Sequence, residues 1–436
     1  VPTELQEIIK EGKKKILVLI NPPYGEATNI DNTSKSNPKN FSKTGISRQS
    51  ISNFMSDYGY AKRELFLQFL FRISKEIPNA TIAMFSKLKY VTSTNFEDFR
   101  NQWNAEYLDG FVVHSKSFEG LDGDFPVGFL IWKTDNREKK IHSSITEISC
   151  EVFDKEVNPI GEKKFYNVSS ALFLSKWIER PRSNKENAIP LSNAITPTTN
   201  TKDVRGSKWS DGAIASMMCK GNDFQNSSKS TSLLSSGYCS AGAFFVNPDN
   251  LTKATIVFTV RHLIPHTWQN DIDQFLQPNC ELPEEFKNDC LVWMLFNGSN
   301  LTASANDLEW NGKKWSIVNH FIPFGEEEVG ANERFESHFM LDYMADKEFS
   351  AEAKAVLEEG KKLWQTYFEE SLDYSICNKL KLNRADVGWY QIRNALKMRN
   401  ETGDYTPVNF EPFESAYKAL TEQLRPQVYE YGFLKS

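Results

Sequence analysis

Lys13-Lys14-Lys15-Ile16-Leu17-Val18-Leu19-Ile20-Asn21-Pro22-Pro23-Tyr24-Gly25 is the stretch that decides the fold. Three lysines lead into an unbroken aliphatic run, and two prolines stop it. A short continuous aliphatic run is what a parallel strand shows when helices cover both of its faces. The sequence therefore predicts a fully buried central strand over 13–20. The prolines end it because neither has an N–H for ladder pairing. Sheets of this kind place ligands at the carboxyl edge of their strands, which is where Asn21, Pro22, Pro23 and Tyr24 fall.

Working outward, residues 26–57 are polar and long for a structureless connection, a length that marks functional loops. Residues 58–76 carry apolar side chains at helical spacing and predict an amphipathic helix. Ala80–Phe85 reads as a second buried strand, 95–107 as a helix and Leu108–His114 as a third strand. Phe125–Trp132 follows as a strand that closes a hairpin, its Pro126 near the start where proline is tolerated. Strands alternating with helices give an α/β class for about the first 135 residues. From 141 the texture changes to short β-like runs, Thr255–Val260 the clearest, with Ser/Asn/Gly-rich connections. An irregular α+β module is expected there. Cys290–Phe296 fits either a strand or a buried helix, since periodicity cannot arbitrate in so short a run. From about 348 the chain reads as helical, with Ser350 as N-cap and further helices over 386–399 and 411–424. The expected domains are 1–140, 141–345 and 346–436.

Composition bounds the function. The 436 residues carry a formal charge of −6, and 13% of them are aromatic, including 31 Phe. Such a chain can bury sizeable cores, and it does not coat nucleic acid by bulk positive charge. No run reaches the length of a membrane span, and no secretory signal is visible. The six cysteines are scattered without a C-x-x-C pair, which suits reduced thiols in the cytoplasm. Cys239 has no histidine near it in sequence and reads as an ordinary thiol. His262 and His266 have ligand spacing, but Pro265 intervenes and no acidic third ligand follows, so no metal site is expected.

The chemistry of Asn21-Pro22-Pro23-Tyr24 is specific. Two prolines hold a loop rigid while their carbonyls remain acceptors. The Asn21 carboxamide adds a second neutral acceptor, and Tyr24 a flat stacking face with a polar tip. Neutral acceptors beside a platform can grip a planar exocyclic amine and orient its lone pair without a strong base.

In this loop the sequence resembles the catalytic half of the N6-adenine DNA methyltransferases, of the type II and IIG restriction-modification kind. The resemblance implies an enzyme that flips an adenine out of double-stranded DNA and methylates its amine from S-adenosylmethionine. Asn21 and the Pro22 carbonyl would accept from the amine, and Tyr24 would stack on the ring. Phe118, in Ser117-Phe118-Glu119-Gly120, matches the family's later base-packing aromatic. Glu64-Leu65-Phe66 resembles the motif that helps line the cofactor pocket. The implied fold is an incomplete Rossmann-like methyltransferase core followed by an α+β target-recognition domain and a C-terminal helical region. The target-recognition region would follow the core.

The family's Gly-rich cofactor loop and its acidic partner precede the N-P-P-Y loop. Only twenty residues precede Asn21 here, and Gly120, Gly123 and Gly128 lack a strand-then-helix setting. The chain opens on Val1-Pro2 without a Met, and the main cofactor site is expected upstream of Val1. The chain is therefore expected to be inactive alone, with a missing N-terminal half as its partner. Two alternatives stand beside this: a non-catalytic DNA-recognition module, and part of a bifunctional enzyme whose nuclease lies upstream. Lys35, Lys39, Lys43 and Arg48 either meet DNA phosphates or form a solvated loop face. The basic residues around Arg180, Arg182 and Arg205 form either a recognition stripe or a solvated scatter.

Overall fold

The aliphatic run forms β1 (Leu17–Ile20), which lies at one end of a six-stranded sheet instead of at its centre. The computed structural model describes residues 2–23, 25, 50–77, 79–135, 144–182, 185–186, 208–225, 227–237, 242–310, 312–404 and 408–435. Compact packing divides the chain into one unit of residues 1–171 with 266–273, and a second of 172–265 with 274–436.

In the first unit, α1 (Thr3–Glu11) precedes β1. The sheet continues with β2 (Thr81–Lys87), β3 (Ala105–His114), β4 (Pro126–Thr134), β5 (Glu147–Phe153) and β6 (Pro159–Tyr166) in the order β1-β2-β4-β3-β5-β6. β1 and β2 are parallel, Leu17 opposite Thr81 and Ile20 opposite Met84. β4 runs antiparallel to both β2 and β3, so β1, β2 and β3 point the same way. Beyond residue 140 the sheet goes on, with β5 parallel to β3 and β6 antiparallel to β5. The class is mixed α/β.

The expected helix over 58–76 is broken. Ser56–Arg63 is a 3₁₀ segment whose Gly59 has φ 56° and ψ −125°, and a Cβ there would collide with the Asp98 carboxylate. Glu64 is extended, and α2 (Leu65–Glu76) starts only after it. The expected helix over 95–107 shrinks to α3 (Glu97–Gln102), because the chain turns into β3 at Ala105.

The helices cover one face of the sheet. Val18 and Ile20 turn toward it and pack against a core built from Ile82, Met84, Leu130 and Trp132 with Phe66, Leu70, Phe99 and Trp103. Trp132 is fully buried, and its indole N–H donates to the Tyr90 hydroxyl at 2.9 Å. The other face of β1 is open: Leu17 is 67% and Leu19 71% exposed. The expectation of a strand covered on both faces is thus corrected.

The second unit holds a four-stranded sheet of β7 (Ala215–Cys219), β8 (Thr231–Leu234), β9 (Ala243–Val246) and β10 (Asn300–Leu301), ordered β9-β7-β8-β10. The β-branched run Thr255–Val260, expected as a strand, is the middle of helix α4 (Leu251–Leu263), with Thr255 to Val260 all buried. Burial on every side overrides the weak helix propensity of such residues. Cys290–Leu295 ends a second buried helix, α5 (Glu284–Leu295). Further on come α6 (Ala351–Glu369), α7 (Trp389–Lys397) and α8 (Glu411–Glu430). Ser350 caps α6 as expected, its hydroxyl accepting from the Ala353 N–H at 3.1 Å. These helices share one core with α4 and α5, including Trp293, Trp364, Trp389 and Leu424. Among the described residues no helix is long and apolar enough to cross a membrane, and no group of His, Cys, Asp and Glu could hold a metal ion.

Candidate active site

Three connections leave the carboxyl ends of the parallel strands β1, β2 and β3, and the candidate residues sit on them. Where β1 ends, Asn21 and Pro23 are exposed and Pro22 is buried. The rigid proline thus anchors the turn while the carboxamide before it stays at the surface. A little further on, the Gly25 carbonyl accepts from the Leu65 N–H at 2.9 Å. That N–H belongs to the first turn of α2, where backbone donors have no partner within the helix. The loop after β1 is therefore pinned to the start of the following helix. Tyr24 lies outside the described residues, as do Val1, Lys35, Lys39, Lys43, Arg48 and Arg205.

Glu64, just ahead of α2, is 2% exposed and ion-pairs with Lys89. Lys89 stands two residues beyond the end of β2 and keeps a quarter of its side chain exposed. A buried carboxylate survives only when paired, so this bridge ties together the connections that follow β1 and β2.

Phe118 follows β3 and is half-buried. Its ring meets Phe85 edge-on, with centroids 5.3 Å apart. β1 and β2 are in register up to Ile20 opposite Met84. Phe85, the next residue of β2, therefore stands level with the point where the chain leaves β1, about 4.8 Å away across one strand spacing. Along the sheet β3 is three strand positions from β1, about 14 Å. The Phe118 ring closes much of that gap by leaning on Phe85. The carboxyl edge thus carries two neutral acceptors at one end and an aromatic wall beside them.

The same edge holds a group that spacing along the chain could not reveal. The Lys116 N–H donates to His114 Nδ1 at 3.0 Å, and Nε2 lies 3.3 Å from Asp124. Lys116 reaches Asp124 at 2.7 Å and holds that carboxyl below its usual range. Trp268 packs on the His114 ring at 5.0 Å, and His266 bonds Asp271 at 2.9 Å. Burial pushes the Asp271 carboxyl up. Trp268 follows His114 by more than 150 residues of sequence, and no local pattern announces the contact.

Two further groups elsewhere in the first unit, Tyr107 and Cys150, are inert. Tyr107 donates to the Ser149 carbonyl at 2.7 Å and touches Cys150, whose thiol burial pushes up to about 11. A thiol so protonated at neutral pH is no nucleophile. Cys150, Cys219, Cys280, Cys290 and Cys377 are free thiols, and Cys239 lies outside the described residues.

In the second unit Arg180 turns inward. Its Nη1 donates to the Gly242 carbonyl at 3.0 Å, and its guanidinium lies 4.9 Å from the Phe244 ring centre. Arg182 is exposed.

The cofactor that the loop implies meets a poor fit. A phosphate- or methionine-cradling loop needs glycines between a strand and a helix. Gly12, the left-handed residue ahead of β1, follows a helix and leads into a strand, the reverse order. Gly120 lies between two strands, and Gly128 sits within β4, where a Cβ would meet the Leu88 side chain at 2.5 Å. None of Gly12, Gly120 and Gly128 stands between a strand and a following helix.

No protein-family model and no curated protein matches the sequence. Two solved structures are similar at low level. One is the ATP-dependent Type ISP restriction-modification enzyme LlaBIII bound to DNA, at 13% identity and TM-score 0.21, covering 32% of this chain and 10% of that one. The other is the Type IIL restriction-modification enzyme MmeI in complex with DNA, at 9% identity and TM-score 0.29, covering 100% of this chain and 57% of that one. The chain thus spans a tenth and somewhat over half of these neighbours. Scores of this size do not establish a common fold.

Proposed function

We propose that residues 1–135 are the base-holding half of a DNA adenine-N6 methyltransferase of a restriction-modification system, and that residues 172–436 serve DNA recognition. The observation that carries this reading is the position of Asn21-Pro22-Pro23 directly at the carboxyl end of a strand parallel to its neighbour. There the Asn21 carboxamide and the Pro22 carbonyl can accept the two N–H bonds of an adenine amine. Both acceptors are uncharged, so the nitrogen keeps its lone pair and need not be deprotonated. Tyr24 stacks on the flipped base, and Phe118, braced by Phe85, closes the site from the β3 side. Support also comes from the strand order: three parallel strands with an antiparallel one inserted suit the closing hairpin that the resemblance implies.

Because none of Gly12, Gly120 and Gly128 is set between a strand and a following helix, the described residues are assigned no methyl-transfer step of their own. S-adenosylmethionine would be held mainly by residues other than those described. The same gap favours a second reading, in which the chain recognises DNA without catalysis. Both are tested by expressing the full coding sequence that contains this chain and sequencing methylated adenines in the host DNA. Adenine methylation that disappears in Asn21→Ala and Tyr24→Ala supports the enzyme. Methylation unchanged in both variants overturns the proposed roles. DNA binding without any methylation selects the recognition module.

A further inference from the structure

Phe118 is carried on a mounting that its own connection does not complete. The chain from β3 to β4 closes on itself at Ser115, which is fully buried. The Ser115 N–H donates to the Phe125 carbonyl at 3.0 Å, and its hydroxyl donates to the Gly123 carbonyl and accepts from the Phe125 N–H at 3.3 Å. Within that neck Ser115–Ser117 forms a single 3₁₀ turn, and the Phe118 N–H donates back to the Ser115 carbonyl at 3.1 Å. The turn therefore sets where the Phe118 ring points.

The turn is capped by the His114 side chain, whose Nδ1 accepts from the Lys116 N–H at 3.0 Å. Such a cap is ordinarily the oxygen of Ser, Thr, Asp or Asn, on a shorter side chain. An imidazole caps in only one setting of its two torsions, so the ring has to be held. Two groups hold it. Asp124, from the far side of the neck, lies 3.3 Å from Nε2 and 2.7 Å from the Lys116 ammonium. Trp268 packs on the imidazole with ring centres 5.0 Å apart.

Trp268 comes from outside residues 1–171. It belongs to the segment 266–273, whose flanks on both sides belong to the other unit. The segment is locked in a turn by Asn270, whose carboxamide accepts from the Thr267 N–H at 2.8 Å and whose carbonyl accepts from the Asp273 N–H at 3.0 Å. Asp273 pairs with Lys163 of β6 at 2.8 Å, and Trp268 and Ile272 pack against the core of the first unit.

We infer that Trp268 is a positioning residue: through His114 and the turn it caps, it fixes Phe118 as the wall of the base site. The kinetic consequence rests on the proposed function, whereas the mounting rests on the fold alone.

The test uses the protein expressed from the full coding sequence that contains this chain, with two separate readouts. Hydrogen exchange at the Lys116, Phe118 and Phe125 amides needs no catalysis. Trp268→Ala speeds it about tenfold, while Trp268→Phe, which keeps a ring on the imidazole, leaves it within about twofold of the parent. In methylation, Trp268→Ala lowers kcat/KM about three- to tenfold, up to the loss of the stacking wall itself, with DNA affinity at fixed salt unchanged. In a Phe118→Ala background the same substitution adds less than about twofold, because effects that pass through one residue do not add. Where Trp268→Ala fails to fold, Asp124→Asn, at a carboxylate exposed to water, is held to the same criteria. Parental exchange in Trp268→Ala, or no rescue by Trp268→Phe, overturns the mounting. Additive losses in the double variant, or a drop in DNA affinity that accounts for the kinetic loss, overturn its action through Phe118. A parent protein that methylates nothing overturns the proposed reaction, and the exchange data still decide the mounting.

Discussion

Phe118 and Phe85 meet edge-on at 5.3 Å, and Phe85 stands level with the end of β1 at Asn21. A residue reached by a connection three strands away is thereby brought to the side of the loop. If the ring walls a flipped base, its loss costs binding energy and little stability. Base stacking on an aromatic ring is worth about 1–3 kcal/mol. On the proposed reading, Phe118→Ala in the protein expressed from the full coding sequence is therefore expected to lower kcat/KM for DNA methylation roughly tenfold, with about 1 kcal/mol or less lost in urea unfolding. Phe66→Ala, at a fully buried ring, serves as the contrast, losing about 3–5 kcal/mol of stability. A Phe118→Ala enzyme with parental kcat/KM would remove this residue from the site.

The Glu64–Lys89 bridge predicts an asymmetric mutation series. Glu64 is almost wholly buried, whereas Lys89 keeps a path to water. Lys89→Met takes the cation from a buried carboxylate and is expected to cost on the order of 3 kcal/mol. Glu64→Gln leaves a cation that can still reach solvent and is expected to cost about half of that. The double variant should recover most of the loss, since a neutral pair has no desolvation to offset. Chemical denaturation of all four proteins gives the coupling directly, and equal costs for the two single variants would refute the asymmetry.

How much of this is legible in the sequence follows from what each residue touches. Asn21-Pro22-Pro23 can be placed because strand, stop and acceptors are adjacent in the chain, and the structure puts them at a strand's carboxyl end. The same reading makes that strand central, and the structure puts it at an edge. An unbroken Ile-Leu-Val-Leu-Ile run reports what the strand is chemically suited to, not which neighbours this chain supplies. Thr255–Val260 misleads for a different reason. β-branched residues favour strands only weakly, and a helix buried on all sides shows the same apolar continuity as a central strand. Phe85 beneath Phe118 and Trp268 on His114 are invisible, because both contacts join residues far apart in sequence through strand order.

Gly59 is hidden inside an apolar pattern that reads as one helix. Its φ of 56° lies in the region that L side chains avoid, and Asp98 stands where a Cβ would go. Gly59→Ala therefore meets both backbone strain and a collision with a carboxylate. The expected loss is about 1–3 kcal/mol, read as a lower urea midpoint with an unchanged slope. Asp98→Ala in the same background relieves the collision and not the strain, so it should restore only part of the midpoint. A Gly59→Ala midpoint equal to the parent's would show that the break at this position is not required.

His262 gives the second unit a defined acid response. The ring lies against Phe258 and Trp293, with centroids 4.5 Å and 5.9 Å away, and its Nε2 is cut off from solvent. Its Nδ1–H donates to the Phe258 carbonyl at 2.7 Å, and burial drives its pKa down to about 4. An unfolded histidine titrates near 6.5. Between those values the unfolded chain binds a proton that the folded one refuses, so stability rises with pH across that window. The contribution is fully present above about pH 6.5 and is lost as pH falls toward 4, by roughly 3 kcal/mol for a shift of this size. Comparing urea midpoints at pH 5 and pH 7 measures about half of it. His262→Phe keeps the stacked ring but removes the titration and the bond to Phe258. It is expected to be less stable than the parent at pH 7, and to lose less stability between pH 7 and pH 5. Equal pH dependence in both proteins would assign the acid response to other groups.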